Sequence, residues 1–354
     1  MPFKLKPLYL LLIFAPLAIA AEVTHSSPVL VFALAALGVI PLAGLVGEGT
    51  EELAAHTGPR VGALLNATLG NAAELIITIF AIRAGLLELV KASIVGSIIG
   101  NLLLVLGLSL LLGGLKNGVQ TFDRRNAGVN ATLLLMALVA FMVPSLFDAA
   151  IADNRAAELG LSEGVAVVMI VLYALAMVYA FTAKSDGVSR QPAEAHHARW
   201  SARAALGVLA GATVGIVFLS EVLVGAVESV TATLGLTEFF IGIIIIPLVG
   251  NIAEHLVAVE VAIKNKMELS LGVSLGSSLQ IALFVAPVLV FVSLLFGETL
   301  LLVYNTFELV ALAAASVIAA FIALDGESNW LEGAMLLAVY AILAIAFFYL
   351  PAAL

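Results

Sequence analysis

Long apolar stretches alternate with short polar segments along the whole chain, and this alternation predicts its secondary structure. A helix that crosses a bilayer needs about 20 mostly apolar residues. Eleven stretches approach or exceed that length, and they lie at residues 7–21, 29–46, 61–82, 92–114, 127–147, 163–183, 203–226, 238–263, 270–296, 300–323 and 329–350. The sequence therefore predicts an all-α polytopic membrane protein with about eleven transmembrane helices.

The composition supports a membrane environment. The chain is 63% hydrophobic and 11% charged, whereas soluble domains carry roughly 25% charged residues. Lipid is therefore the solvent that this chain fits. The absence of cysteine excludes disulfides and thiolate metal sites. The net charge is −9, and no basic stripe of the kind that binds nucleic acid is present.

The first apolar stretch has two interpretations. Lys4 and Lys6 precede an apolar run that ends at Ala18-Ile19-Ala20, a pattern that is also typical of a cleaved signal peptide. The length and the flanks favour a retained N-terminal transmembrane helix over residues 1–25, and cleavage stays open as the alternative.

Basic residues predict the orientation. If the N-terminus is cytoplasmic, 12 of the 15 lysines and arginines fall in inner segments, and the outer segments hold only Arg83, Lys91 and Arg155. This positive-inside bias places the C-terminus outside. The polar segment 184–202 is then a cytoplasmic linker, and it divides the chain into parts 26–183 and 203–354.

The two parts repeat each other. With a shift of 180 residues, Gly70-Asn71-Ala72-Ala73-Glu74 falls on Gly250-Asn251-Ile252-Ala253-Glu254, and eight of the 28 positions from 70 to 97 are identical. The motifs lie on the third and eighth predicted helices, so each repeat is five helices long. Because five is odd, equivalent helices run in opposite directions, which is the inverted repeat of many secondary transporters.

Both motifs carry a glutamate deep inside an apolar helix. An intramembrane charge costs several kcal/mol unless it is paired or hydrated, and no lysine or arginine lies at a matching depth for Glu74 or Glu254. Each carboxylate must therefore bind a proton or a cation, and competition between the two couples cation movement to proton movement. Two purely structural glutamates are the weaker interpretation, because the acids occupy equivalent repeat positions.

Residues near the glutamates can supply more oxygen ligands. Gly70, Gly250 and Pro247 predict helix breaks that free backbone carbonyls, and Ca²⁺ takes six to eight oxygen ligands. We expect supporting or pathway roles, against the alternative of helix packing, for Asn71, Asn251, His255, Ser97, Asn101, Ser277, Ser278 and Gln280. Glu221 and Glu308 lie nearer to helix ends and are weaker candidates for a path.

These motifs resemble those of a known family. Residues 62–77 (GALLNATLGNAAELII) and 250–255 (GNIAEH) are similar to the paired motifs of the Ca²⁺/H⁺ antiporters, within the Ca²⁺/cation antiporter superfamily, and 276–281 (GSSLQI) and 325–333 (DGESNWLEG) are similar to further segments. The resemblance implies a central site with Glu74 and Glu254 as the residues that bind Ca²⁺ or H⁺, and no cofactor. The segment between the halves departs from the acidic segment of some members, because it is net basic here.

The resemblance implies Ca²⁺ export driven by protons across a prokaryotic plasma membrane, with Ca²⁺, H⁺ and the lipid bilayer as partners. Ala73 and Ala253 stand before the glutamates, whereas the Na⁺/Ca²⁺ exchanger branch has proline there, so H⁺ is favoured over Na⁺ as the coupling ion. A Na⁺-coupled exchanger and a cation channel remain alternatives. An intramembrane hydrolase lacks a nucleophile–base pair at depth. A homo-oligomer is compatible with the sequence.

Overall fold

The computed structural model describes residues 7–57, 59–151, 153–182 and 198–351. The all-α prediction is confirmed, because these residues are helical apart from short connections and one two-residue ribbon. The helices are α1 Pro7–Val23, α2 Pro28–Thr57, α3 Pro59–Leu69, α4 Ala72–Arg83, α5 Leu87–Asn117, α6 Arg124–Ile151, α7 Arg155–Thr182, α8 Ala202–Gly225, α9 Val227–Leu234, α10 Glu238–Ile263, α11 Met267–Leu295, α12 Thr306–Asp325 and α13 Trp330–Phe348.

Helix length and apolarity identify an integral membrane protein. Within the described ranges, nine helices are long and apolar enough to cross a membrane, and α1 is a shorter apolar helix. The remaining predicted stretch, 61–82, is divided between α3 and α4. Helices therefore occupy all the predicted stretches, while the number that cross the bilayer and the inverted layout stay predictions.

Three predicted boundaries were wrong by six residues or more, because α2 continues to Thr57 rather than ending at 46, α7 begins at Arg155 rather than 163, and the helix of 300–323 starts late. The stretch 300–323 begins its helix only at Thr306, because residues 300–305 form an extended strap. Leu300, Leu302 and Tyr304 are buried in alternation with less buried neighbours, which is the period of an extended chain rather than of a helix. The hydroxyls of Ser293, Ser162 and Ser145 accept hydrogen bonds from the backbone N–H groups of Leu300, Leu302 and Tyr304, at 3.0, 3.2 and 2.9 Å.

Helices from before and after the linker pack against one another. Helix α2 packs along α8, α5 along α13, α6 along α12, and α7 along α11. Their buried side chains form one contiguous apolar core. The two halves are thus interlocked, so residues far apart in the sequence meet in the middle of the bundle.

Within the described part of the chain, three π-helical turns interrupt the long helices. They lie at Gly100–Val105 in α5, Ile241–Ile245 in α10 and Ile281–Val285 in α11. The turns in α5 and α11 overlap under the shift of 180 residues that relates the two motifs. Such turns often lie at functional sites, because the extra residue redirects the side chains next to it.

A short antiparallel ribbon joins two connections at one end of the bundle. Strand β1, Gln120–Thr121, follows α5, and strand β2, Glu327–Ser328, precedes α13. Gln120 also donates from Nε2 to the Ala262 carbonyl near the end of α10, at 2.9 Å. The ribbon therefore lies at the end of the bundle where α5 and α10 both finish.

Most of the predicted linker 184–202 lies outside the described residues, as do Lys4 and Lys6. Its last residues attach to the end of α2, where Arg199 donates to Glu52 at 2.9 Å and to Glu48 at 2.7 Å. This hydrogen bond to Glu52 raises the pKa of Arg199. Backbone N–H groups of Arg199 and Trp200 also bind Glu52, whose side chain is fully buried. Glu48 and Glu52 therefore bind the segment that follows the linker.

Candidate cation-binding site

The first motif breaks its helix as the sequence predicts. Helix α3 ends at Leu69 and α4 begins at Ala72, so Gly70 and Asn71 lie in the gap. A Cβ atom on Gly70 would lie 2.7 Å from the Asn66 carbonyl oxygen, which explains why only glycine fits there. The break places Glu74 in the first turn of α4, where the helix dipole favours negative charge.

The second motif does not break its helix at Gly250, and that expectation was wrong. The helix is regular from Ile246 to Ile263, and the irregularity is the π-helical turn Ile241–Ile245 before Pro247. Proline has no N–H group to donate to the carbonyl of Ile243, four residues earlier. That carbonyl instead faces Gly96 of α5, where an ideal Cβ atom would lie 2.1 Å from the Ile243 oxygen.

The two motif glutamates meet across the halves. A Cβ atom on Gly70 would lie 3.2 Å from Glu254 Oε1, and one on Gly250 would lie 3.7 Å from Glu74 Cβ. Each glutamate therefore lies beside the glycine of the other motif, and Glu254 acts electrostatically on Glu74. The Oε2 atoms of both carboxylates are buried and have no hydrogen-bond partner in the described part of the chain.

Hydrogen bonds around the glutamates also cross between the halves. Asn251 Nδ2 donates to Glu74 Oε1 at 3.3 Å and to Ser97 Oγ at 3.4 Å. In the other direction, Ser277 Oγ donates to Asn71 Oδ1 at 3.2 Å. The asparagine of each motif thus bonds to the equivalent serine of the opposite half, which ties α4, α5, α10 and α11 together.

Two further predicted residues join this network on one side only. Asn71 Nδ2 donates to Gln280 Oε1 at 2.8 Å, and Asn101 Nδ2 donates to Ser277 Oγ at 3.2 Å. The positions equivalent to Gln280 and Asn101 are Gly100 and Ile281, so the site is not symmetric. Asn101 Oδ1 is buried without a hydrogen-bond partner among the described residues, and it is a further oxygen that could face a cation.

The other predicted residues are less closely involved. Ser278 is buried and donates to the Ser274 carbonyl of its own helix at 2.9 Å. His255 is buried beside Glu254, and no hydrogen bond links its ring to another described residue.

Ser93, which we did not predict, lies one turn before Ser97 with a buried, unpartnered hydroxyl. Its i, i+4 spacing from Ser97 was the available signal.

The ligand set is made of oxygens. Among the described residues, no group of three or more His, Cys, Asp or Glu side chains could hold a metal ion. A cation here would have two carboxylates, completed by neutral amide, hydroxyl or backbone oxygens. Hard cations such as Ca²⁺ accept this combination, whereas Zn²⁺ and Cu⁺ favour imidazole and thiolate ligands.

The C-terminal end of α2 places acidic side chains on one side of the site. Glu254 is partly accessible, whereas only 2% of Glu74 is exposed. Glu51, at the C-terminal end of α2, acts electrostatically on Glu254. The acidic end of α2 therefore lies nearer to Glu254 than the opposite end of the bundle does.

The fold and the site define a membrane transporter whose buried carboxylates come from two interlocked halves. The family model described as sodium/calcium exchanger protein matches residues 27–182 and 204–349. The chain belongs to this family.

Similar proteins cover nearly the whole chain. A Ca²⁺/H⁺ antiporter of Aphanothece halophytica is 43% identical over 96% of each protein. The Ca²⁺/H⁺ antiporter ChaA of Bacillus subtilis is 43% identical over 95% of this chain and 96% of its own. The structure of native YfkE superposes with a TM-score of 0.85 and 41% identity, and covers 97% of this chain and 100% of that one.

Proposed function

We propose that this protein is a secondary antiporter that moves Ca²⁺ out of the cytoplasm in exchange for external H⁺. The observation that carries the proposal is the pair of buried carboxylates, Glu74 and Glu254, each with an unpartnered Oε2 atom. A bare carboxylate pair in an apolar bundle is unfavourable, because each desolvated charge costs several kcal/mol. Protons or one divalent cation relieve that cost. Because both bind the same carboxylates, binding of protons excludes binding of the cation.

Exchange follows from this competition. Cytoplasmic Ca²⁺ enters past the acids at the end of α2 and displaces protons from Glu74 and Glu254. The halves then rearrange around the site, Ca²⁺ leaves on the other side, and external protons return. The hydrogen bonds from Asn251 to Glu74 and Ser97 join α10 to the first half. A change in the occupancy of the site therefore acts on both halves.

The proposed orientation places the N-terminus and the end of α2 in the cytoplasm of a prokaryotic cell, with the C-terminus outside. Support comes from the positive-inside bias of the sequence. In this orientation, α4 ends and α5, α10 and α12 begin at the external end of the bundle. We also propose that residues 26–183 and 203–354 are inverted repeats, since both carry the same motif.

The test is Ca²⁺ uptake into inside-out vesicles with an acidic lumen, comparing wild type with Glu74→Gln and Glu254→Gln. We expect both variants to abolish uptake, because each removes a titratable ligand. Glu260→Gln is the matched control, since it removes an exposed carboxylate from the same helix as Glu254, and it should transport normally.

The same vesicles separate the alternatives. Uptake that follows a sodium gradient rather than a proton gradient would indicate Na⁺-coupled exchange, which the name of the family model keeps as the second candidate. Uptake that needs neither gradient, or that survives both glutamine substitutions, would indicate a channel or a different site.

A further inference from the structure

Another buried carboxylate lies at the opposite end of the bundle from Glu48 and Glu52. Glu308 is in the first turn of α12, and only 1% of it is exposed. Its Oε2 atom accepts a hydrogen bond from the Asn305 backbone N–H at 2.9 Å, and its own N–H binds Asn305 Oδ1 at 2.9 Å. This reciprocal pair is a capping box, and it uses only one carboxylate oxygen.

The other oxygen of Glu308 has no partner. Glu308 Oε1 is buried and makes no hydrogen bond within the described residues, and neither does the buried Tyr304 Oη. A capping box alone does not require a buried carboxylate, because glutamine serves equally well at this position. The unpartnered oxygen is therefore a feature that the structural role leaves unexplained.

The charged groups around Glu308 do not neutralise it directly. Lys91 and Glu88, both in the first turns of α5, act electrostatically on Glu308, and Tyr304 is the other titratable neighbour. The Lys91 ammonium lies 2.5 Å from Glu88, and no ion pair joins Lys91 to Glu308 in the described part of the chain. Lys91 thus forms its ion pair with Glu88 and not with Glu308.

A proton fits Glu308 better than a metal ion does. With Oε2 held by an amide N–H, one carboxylate oxygen remains, and divalent cations need several oxygen ligands. The described residues include no group of three acids or histidines that could bind a metal here. A buried carboxylate without a cation partner is stabilised by protonation.

We propose that Glu308 is an additional proton-binding residue of the exchanger, which takes up a proton at the external end before exchange at the motif glutamates. The inference rests on the proposed function and on its orientation. Helix α12 packs against α5, which carries Ser97 and Asn101 of the central site. Proton occupancy of Glu308 is therefore placed to act on the helix that lines the site.

The test compares Glu308→Gln with Glu308→Asp in inside-out vesicles, whose lumen corresponds to the exterior. Glutamine keeps the capping box and loses titration, whereas aspartate keeps titration and weakens the cap. We expect Glu308→Gln to slow Ca²⁺ uptake by roughly a hundredfold and to flatten its dependence on lumenal pH, as for loss of a proton-transfer group. Glu308→Asp should keep the pH dependence even if it is less stable.

The matched control is Glu332→Gln. Glu332 forms the same capping box with Asn329 at the start of α13, at the other end of the bundle, and its substitution should leave the lumenal pH profile unchanged.

Two outcomes overturn the inference. One is a Glu308→Gln protein with the wild-type rate and lumenal pH profile. The other is equal loss in Glu308→Gln and Glu308→Asp with lowered thermal stability in both, which would show a purely structural role. If Glu74→Gln and Glu254→Gln still transport, the proposed function fails instead, so the two failures are distinguishable.

Discussion

The two halves carry the same motif, yet they build it differently. The first half breaks its helix at Gly70 and Asn71, whereas the second keeps a continuous helix through Gly250 and places a π-helical turn before Pro247. Position 67, the equivalent of Pro247, is alanine. Equivalent sequence therefore fixes which side chains face the site, while local backbone chemistry decides how the helix is interrupted.

The difference also changes the environment of the carboxylates. Glu74 starts a helix and is almost completely buried, whereas Glu254 lies within a helix and is partly accessible. Gln280 and Asn101 add polar groups for which the opposite half has no counterpart at Gly100 and Ile281. The two motifs thus supply similar carboxylates in different local environments.

The largest expected effect concerns Gly96 and its equivalent Gly276. A Cβ atom on Gly96 would lie 2.1 Å from the Ile243 carbonyl oxygen and 2.6 Å from its carbon, whereas nothing lies within 4 Å of the same position on Gly276. We expect Gly96→Ala to destabilise the protein by about 3 kcal/mol or more, because the added methyl group can be accommodated only by moving backbone atoms of α5 or α10. Thermal unfolding of the purified protein measures this.

Gly276→Ala is the control and should be neutral or slightly stabilising, since alanine favours a helix. Equal melting temperatures for the two variants would contradict the close approach of α5 and α10.

A smaller effect is expected at the motif glycines. A Cβ atom on Gly70 would lie 2.7 Å from the Asn66 carbonyl oxygen. A Cβ atom on Gly250 would have its nearest neighbour at 3.7 Å, which is an ordinary van der Waals contact. Gly70→Ala should therefore shift the break and lower Ca²⁺ uptake about tenfold, as for a strain of 1–3 kcal/mol. Uptake per folded molecule is the measurement, and Gly250→Ala should retain most of it. The reverse order would mean that the second helix also breaks during transport.

The smallest effect separates the two motif asparagines. Asn71 bonds to Gln280 and Ser277 but to neither carboxylate, whereas Asn251 bonds to Glu74. Asn71→Ala should lower stability by about 1 kcal/mol per lost hydrogen bond. Asn251→Ala should mainly change the Ca²⁺ concentration for half-maximal uptake. Melting curves and uptake titrations of both variants test this split, and identical behaviour would show that the network acts as one unit.

Several features followed from the sequence because their signals are local. Apolar stretches of membrane length predicted the helices, and Glu74 and Glu254 stood out because charge is costly within such stretches. The break at Gly70 was predicted from glycine at the motif. The break at Gly250 was wrong, because glycine permits a break without requiring one, and Pro247 moves the distortion upstream.

Other features depended on contacts that no local pattern reports. Residues 300–305 are apolar enough for a helix, but the hydroxyls of Ser145, Ser162 and Ser293 hold them extended. Glu48 and Glu52 have no local sequence signal of a partner, yet Arg199, far along the chain, forms ion pairs with both. Glu308 is a weak candidate by sequence because it lies near a helix end, and its burial comes from neighbouring helices.

The sequence by itself determined the membrane environment, the helices and the two glutamates, because hydrophobic length and the cost of buried charge act over a few residues. Only the tertiary structure decided that each glutamate lies against the glycine of the other motif, and that Asn251 and Asn71 reach across to Ser97 and Ser277. Those contacts join residues more than 150 positions apart, and they arise from packing of the two halves, which periodicity along one helix does not encode.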